Sequence, residues 1–158
     1  MITYRLAASG DTVQLANMRW DFRLEENPGP TLNDHETFVG ACSKFLHVGL
    51  ASARWFVWIA LDGDSILSHI YIQRIDKMPK PNRINDFYGY VTNVYTRPNY
   101  RGQSIGAQLM AEMLQWAREQ EFENLIVWPS ETSVNWYRRA GFVDDIEMLT
   151  LDIRPYVL

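Results

Sequence analysis

The segment Arg97-Pro98-Asn99-Tyr100-Arg101-Gly102-Gln103 joins a β-like run ending at Thr96 to a helical pattern starting at Ser104. A strand, a glycine-containing loop and a helix N-terminus in that order build an anion site. The first-turn N–H groups lack helical acceptors, and the macrodipole adds partial positive charge. Gly102 and Gly106 remove side chains that would block close approach, and Arg97 and Arg101 add formal charge, so a pyrophosphate fits the site. The loop has neither the Lys-Ser or Lys-Thr of a P-loop nor the GxGxxG of a dinucleotide turn. Further on, Trp136-Tyr137-Arg138-Arg139-Ala140-Gly141-Phe142 sets a tyrosine on a short helix closed by a glycine. The single cysteine, Cys42, supplies neither a disulfide partner nor a thiolate zinc site, and no metal site is expected.

The elements that must position these residues read as follows. Ile2 to Leu6 is a short strand, and Ser9-Gly10-Asp11 opens a helix through Val13, Ala16, Met18, Trp20 and Leu24. Pro28-Gly29-Pro30 stops it, and Asn33 or Asp34 caps a second helix through Phe38, Val39, Cys42, Phe45 and Leu46. Arg54 to Leu61 and Ser65 to Ile75 form a hairpin about Asp62-Gly63-Asp64, Asp76 to Asp86 is a loop, and Phe87 to Thr96 is a further strand. Ile105, Leu109, Met110, Met113, Leu114 and Ala117 mark an amphipathic helix from Ser104 to Glu121. Asn124 to Trp128 is a short buried strand, Ser133 to Ala140 a short helix, and Ile146 to Ile153 a last strand. This order is that of an α/β chain, an α+β mixed three-layer domain spanning 1–158.

With 158 residues, the chain suits one domain. Apolar residues make up 47 % and aromatics 13 %, which excludes disorder as the main state. A formal charge of −4 argues against a nucleic-acid backbone binder, which needs a surplus of Lys and Arg, and suits a cationic or amine-bearing partner. Met1 to Leu6 precedes no apolar leader region, and no apolar run approaches the ~18 residues of a membrane span, so a cytoplasmic protein without membrane contact is expected.

The two motifs together resemble the GCN5-related N-acetyltransferase (GNAT) family. Arg101-Gly102-Gln103-Ser104-Ile105-Gly106 is similar to its acetyl-CoA signature R/Q-x-x-G-x-G/A. Thr96 to Gly102 resembles the preceding V-x-P-x-Y-R-G, and Ser133 to Phe142 resembles A-x-x-x-Y-x-x-x-G-F. The order of elements resembles the family's over nearly the whole chain. Two departures stand out. Ser104 replaces the usual glycine, and only 17 residues follow Gly141, which abbreviates the usual last hairpin.

The resemblance implies an acyl-CoA N-acyltransferase fold, with a central mixed sheet splayed between strands 4 and 5. It implies an acetyl-CoA-dependent transferase acting on an amine of a small molecule or peptide in a ternary complex. Backbone groups of a bulge at Val94, Tyr95 and Thr96 would take the acetyl carbonyl and the pantetheine arm. The N–H groups of Arg101, Gly102, Gln103, Ser104, Ile105, Gly106 and Ala107 would hold the pyrophosphate, with Ser130 beside the pantetheine and Arg139 near the adenosine phosphates. Tyr137 matches the tyrosine that protonates the departing thiolate. The acceptor mouth would draw on Phe22, Glu25 and Glu26 from the first helix and on Tyr90 and Thr92 from the fourth strand. That strand offers no ordinary base: Tyr90, Thr92 and Asn93 stand where relatives place Glu or His. Proton removal through water to a peripheral carboxylate such as Asp86 or Glu131, or an acceptor that arrives already neutral, is then expected, with His69 a structural residue before a catalytic one, and His35 and His47 surface or packing residues. Relatives often dimerise, and the aromatic content permits a homodimer. The alternative readings are a catalytically weakened CoA-binding sensor or regulatory module, and an unrelated phosphate-binding domain.

Overall fold

Alternating apolar residues at both ends of the Asp62-Gly63-Asp64 turn form the centre of the sheet in the computed structural model, which describes residues 1–145 and 147–154. By its contacts the chain falls into two units, Met1–Trp128 and Pro129–Leu158.

The first unit runs β1 (Ile2–Leu6), α1 (Thr12–Glu26), α2 (His35–Ala51), β2 (Trp55–Asp62), β3 (Ser65–Asp76), β4 (Phe87–Thr96), α3 (Ile105–Glu119) and β5 (Leu125–Ile126). Strand order follows chain order. Successive strands from β1 to β4 pair antiparallel, and β5 joins β4 in parallel. Asp34 caps α2, its carboxylate accepting from the Thr37 N–H at 2.7 Å.

The period-two pattern of β2 sorts its residues between two layers. Val57 and Ile59 belong to one core with Leu15 and Met18 of α1 and Leu46 of α2, while Phe56 and Trp58 meet Trp116 of α3 at 4.9 and 6.2 Å between ring centres. Each fully buried Leu or Ile in such layers contributes roughly 1.5–3 kcal/mol against exposure. The α1/α2 layer, the sheet and the α3 layer thus match the expected three-layer arrangement.

The sheet opens where expected. β4 and β5 pair only at Gly89 with Leu125 and Tyr90 with Ile126, and β4 continues to Thr96 without that partner. Gly89 makes the junction possible: a Cβ there would lie 2.6 Å from Leu125 Cδ2 and 2.9 Å from Ile72 Cγ2. The expected strand Asn124 to Trp128 is therefore reduced to Leu125–Ile126, because its remaining residues have no ladder with the diverging β4. The loop between β3 and β4 is closed by the Lys77 N–H donating to the Asp86 carbonyl and by the Asp86 carboxylate, which is 3.2 Å from Arg83 and 3.5 Å from Lys77.

The second unit holds α4 (Val134–Arg139), which ends at Gly141 with φ +107°, as its sequence requires. The expected strand from Ile146 to Ile153 is corrected. Residues 147–153 form no strand, and Leu149, Leu151 and Ile153 are exposed; Ile146 lies outside the described residues. Alternation supplies a face to bury but no ladder partner, and pairing defines a strand.

Candidate functional site

β4 slips by one residue against β3. Thr92 faces Tyr71 and Tyr95 faces His69, so Asn93 and Val94 stand opposite the single residue Ile70. This is a β-bulge, one residue earlier than Val94 to Thr96: Tyr95 and Thr96 are back in register, opposite His69 and Ser68. Asn93 takes φ +48°, a left-handed conformation that asparagine tolerates better than most residues. The slip also changes which side chains share a face. In a regular strand Thr92 would share a face with Val94 and Thr96; here Tyr95 joins Thr92 on the α1 side and stacks on Phe22 at 4.8 Å.

Three groups hold the bulge. The His69 Nδ1 donates to the Asn93 carbonyl at 2.8 Å, Arg19 donates to Asn93 Oδ1 at 3.0 Å, and the Ser68 hydroxyl donates to the Tyr95 carbonyl at 3.0 Å. His69 is completely buried, and the loss of solvent pushes its pKa down to about 3, so the ring is neutral. A carbonyl only accepts, which fixes the proton on Nδ1. His69 is thus no base for an incoming amine, as its sequence context suggested. Sequence reasoning passed over Arg19 and gave Asn93 no structural role. The available signal was an asparagine inside a β-branched and aromatic run, a residue type that accepts positive φ more readily than most non-glycine residues.

Beyond Thr96 the chain turns through Pro98–Tyr100 and enters α3. Gly102 has φ +73°, and although a Cβ there would meet nothing within 4 Å, the conformation itself favours glycine. Ser104 also takes a left-handed conformation, at φ +62°, and its side chain makes no capping bond. The Ile105, Gly106 and Ala107 N–H groups open the helix without helical acceptors. Arg97 is drawn toward the sheet, its Nε donating to the Ile66 carbonyl at 2.8 Å and its NH1 lying 3.7 Å from Asp21.

Two expected subsites meet here. Arg101 NH1 lies 2.7 Å from Glu25 Oε1, the Tyr95 hydroxyl donates to Glu25 Oε2 at 3.2 Å, and the Arg101 guanidinium sits 5.4 Å over the Tyr95 ring. The Arg101 contact holds the Glu25 carboxyl below its usual pKa range, and burial raises the Tyr95 phenol. Phe22, Glu25, Tyr95 and Arg101 form one aromatic and charged corner. Glu26 turns away to Arg23 at 2.6 Å, and Tyr90 sets its ring 4.8 Å from Trp128, with Thr92 half-buried one turn of the pleat away. Asp86 is buried in its ion pairs and serves the β3–β4 loop rather than a water relay, while Glu131 is exposed. His35 bonds Asn17 at 2.8 Å, His47 is exposed, and burial raises the Cys42 thiol pKa.

Within the second unit, Tyr137 is buried, with rings of Trp136 at 5.1 Å and Phe142 at 5.5 Å. The Ser130 hydroxyl donates to Ser133 Oγ at 2.8 Å, and Arg139 is exposed at the end of α4. Among the described residues no His, Cys, Asp or Glu cluster could hold a metal, and no helix is long and apolar enough to cross a membrane.

The model of the Acetyltransferase (GNAT) family matches residues 13–142. An uncharacterized N-acetyltransferase, ycf52, of Gracilaria tenuistipitata var. liui is 22 % identical over 56 % of the chain, which spans about half of that relative's length (52 %). A protein from Clostridium acetobutylicum, described as a predicted acetyltransferase and solved with acetyl-CoA, superposes with a TM-score of 0.78 at 25 % identity over 97 % of both chains. A GCN5-related N-acetyltransferase from Ralstonia eutropha JMP134 has a TM-score of 0.73 at 22 % identity, covering 96 % of this chain and 99 % of its own.

Proposed function

Because the chain belongs to the GNAT family of acetyltransferases, we propose that it transfers the acetyl group of acetyl-CoA to an amine of a small molecule or peptide by direct attack. The observation that carries this reading is the opening of the sheet beyond Tyr90, with a braced bulge at Asn93–Val94 and a left-handed loop leading into α3. The bulge offers backbone donors for a thioester carbonyl, and the first-turn N–H groups from Ile105 to Ala107 suit a pyrophosphate. We read residues 1–158 as one functional domain.

In this reading a neutral amine attacks the thioester carbon, the C–N bond forms and the C–S bond breaks. Bulge N–H groups stabilise the developing oxyanion, and Tyr137 gives its phenolic proton to the departing thiolate. β4 supplies no base, so an acceptor either gives its ammonium proton to solvent or binds already neutral. The proton that the nitrogen sheds as the amide forms passes to solvent, from which Tyr137 is reprotonated. The corner formed by Phe22, Glu25 and Tyr95 gives a cationic or amine-bearing acceptor a carboxylate and an aromatic face. By the family resemblance, Ser130 is assigned to the pantetheine end and Arg139 to the adenosine phosphates. The single cysteine suits a reducing, cytoplasmic compartment, and a homodimer is compatible with the reading.

Two measurements test the proposal together. Acetyl-CoA raises the melting temperature where ATP and NAD do not, and a panel of amines elicits thiol release from acetyl-CoA. Stabilisation without thiol release from any amine favours the sensor module; stabilisation by ATP or NAD instead of acetyl-CoA overturns the family's ligand for this chain.

A further inference from the structure

We propose that His69 is a positioning residue for the acyl group: its Nδ1–H holds the Asn93 carbonyl so that the Val94 N–H is aimed at the thioester carbonyl. The inference rests on the acetyl-CoA reading above and goes beyond it by naming the device that orients the donor. The peptide between Asn93 and Val94 is planar, and no cis peptide bond is present among the described residues, so its C=O and N–H point in opposite directions. The carbonyl points to the imidazole at 2.8 Å, and the Val94 N–H therefore points away from it. The register slip takes this peptide out of the β3 ladder, and β5 leaves β4 after Tyr90, so strand pairing does not set its direction.

The imidazole is itself held. It is completely buried, and its ring centre is 5.0 Å from Tyr71 and 5.8 Å from Tyr95. Nε2 has no hydrogen-bond partner among the described residues, so the Asn93 carbonyl is the hydrogen-bond partner the ring finds on another strand. Arg19 braces the same residue from α1 through the side-chain oxygen at 3.0 Å. A buried polar ring with one orphan nitrogen is costly to keep for packing alone, since an apolar ring would fill the space.

The test compares the chain with His69→Asn, His69→Gln and His69→Leu. Asparagine presents an amide N–H near the position of Nδ1, and glutamine presents one near Nε2. Calorimetric titration with acetyl-CoA and with CoA separates the acyl group from the rest of the ligand, and isotope-edited infrared spectra of acetyl-CoA labelled with ¹³C at the carbonyl read the hydrogen bond directly. The expected result is that His69→Leu and His69→Gln lose about five- to tenfold in acetyl-CoA affinity. CoA affinity stays within about twofold, and the bound carbonyl stretch moves toward its value in free acetyl-CoA. His69→Asn keeps both the affinity and the stretch of the parent. If His69→Leu does not fold by circular dichroism, the Asn and Gln pair decides. An unmoved carbonyl stretch in folded His69→Gln, or equal losses for CoA and acetyl-CoA, overturns the positioning role while leaving the acetyl-CoA reading intact. A parent chain that binds neither ligand overturns that reading itself, and this inference with it.

Discussion

Tyr137 and His69 make opposite demands on an imagined substitution. Tyr137→Phe keeps the ring that meets Trp136 and Phe142 and removes only the hydroxyl. If that hydroxyl is the acid, kcat falls about a hundredfold with acetyl-CoA affinity little changed; an unaltered kcat in steady-state assays removes the assignment. His69 leaves a mark on stability instead. Its folded pKa, about 3, lies below the ordinary value of 6.5. Between those values the unfolded chain takes up a proton that the folded chain refuses, so stability falls as the pH drops through that window. The slope is about 1.4 kcal/mol per pH unit and ends near pH 3, where both states are protonated. Urea denaturation at pH 7 and pH 5 should show a drop for the parent that exceeds the drop for His69→Asn. Both residues could be read from the sequence as candidates, one by motif and one by its place in an alternating strand. The brace between His69, Arg19 and Asn93 could not, because it joins side chains on three elements through a one-residue slip that no single strand displays.

The elements follow their local patterns closely where one helix or hairpin decides. α3, the β2–β3 pair and the Asp34 cap lie within a residue or two of their periodicity and capping signals. They depart where pairing decides. β5 shrinks because β4 turns away from it, and residues 147–153 have strand-like alternation without a ladder. Gly89 is the position on which the β4–β5 junction depends. A methyl at 2.6 Å from Leu125 Cδ2 and 2.9 Å from Ile72 Cγ2 must push one of those side chains aside, and Gly89→Ala should cost about 1–3 kcal/mol in urea denaturation. A cost below about 0.5 kcal/mol would mean that Leu125 and Ile72 yield freely. At the mouth of α3 the effect reverses. Ser104 holds φ +62° at a side-chain cost that glycine avoids, although glycine loses more entropy on folding. Ser104→Gly should be neutral or stabilising by up to about 1 kcal/mol, whereas Ser104→Val should destabilise.

For the molecule as a whole, ligand and fold are linked. A partner that binds only the folded chain adds about 2.7 kcal/mol at a hundred times its dissociation constant, which for a chain of this size raises the melting temperature by roughly 5–10 °C. Acetyl-CoA should do so in a scanning experiment, and CoA should do so slightly less if the acyl carbonyl has its own donor.

The ion pair between Arg101 and Glu25 carries a consequence for the order of arrival. NH1 faces a carboxylate at 2.7 Å, and a diphosphate that draws the guanidinium away loosens that contact. A diphosphate that recruits Arg101 leaves Glu25 held only by the Tyr95 hydroxyl, and a cation that settles on Glu25 first loosens Arg101. Each guest thereby eases the entry of the other, and thermodynamics requires the two favours to be equal. Both side chains are more than a third exposed, so the mutual gain is at most about fivefold. Titrating acetyl-CoA with and without an alkyl diamine should reveal it, and Glu25→Gln should reduce it to nothing. In the proposed reading, one carboxylate at the end of α1 makes two neighbouring berths answer to each other.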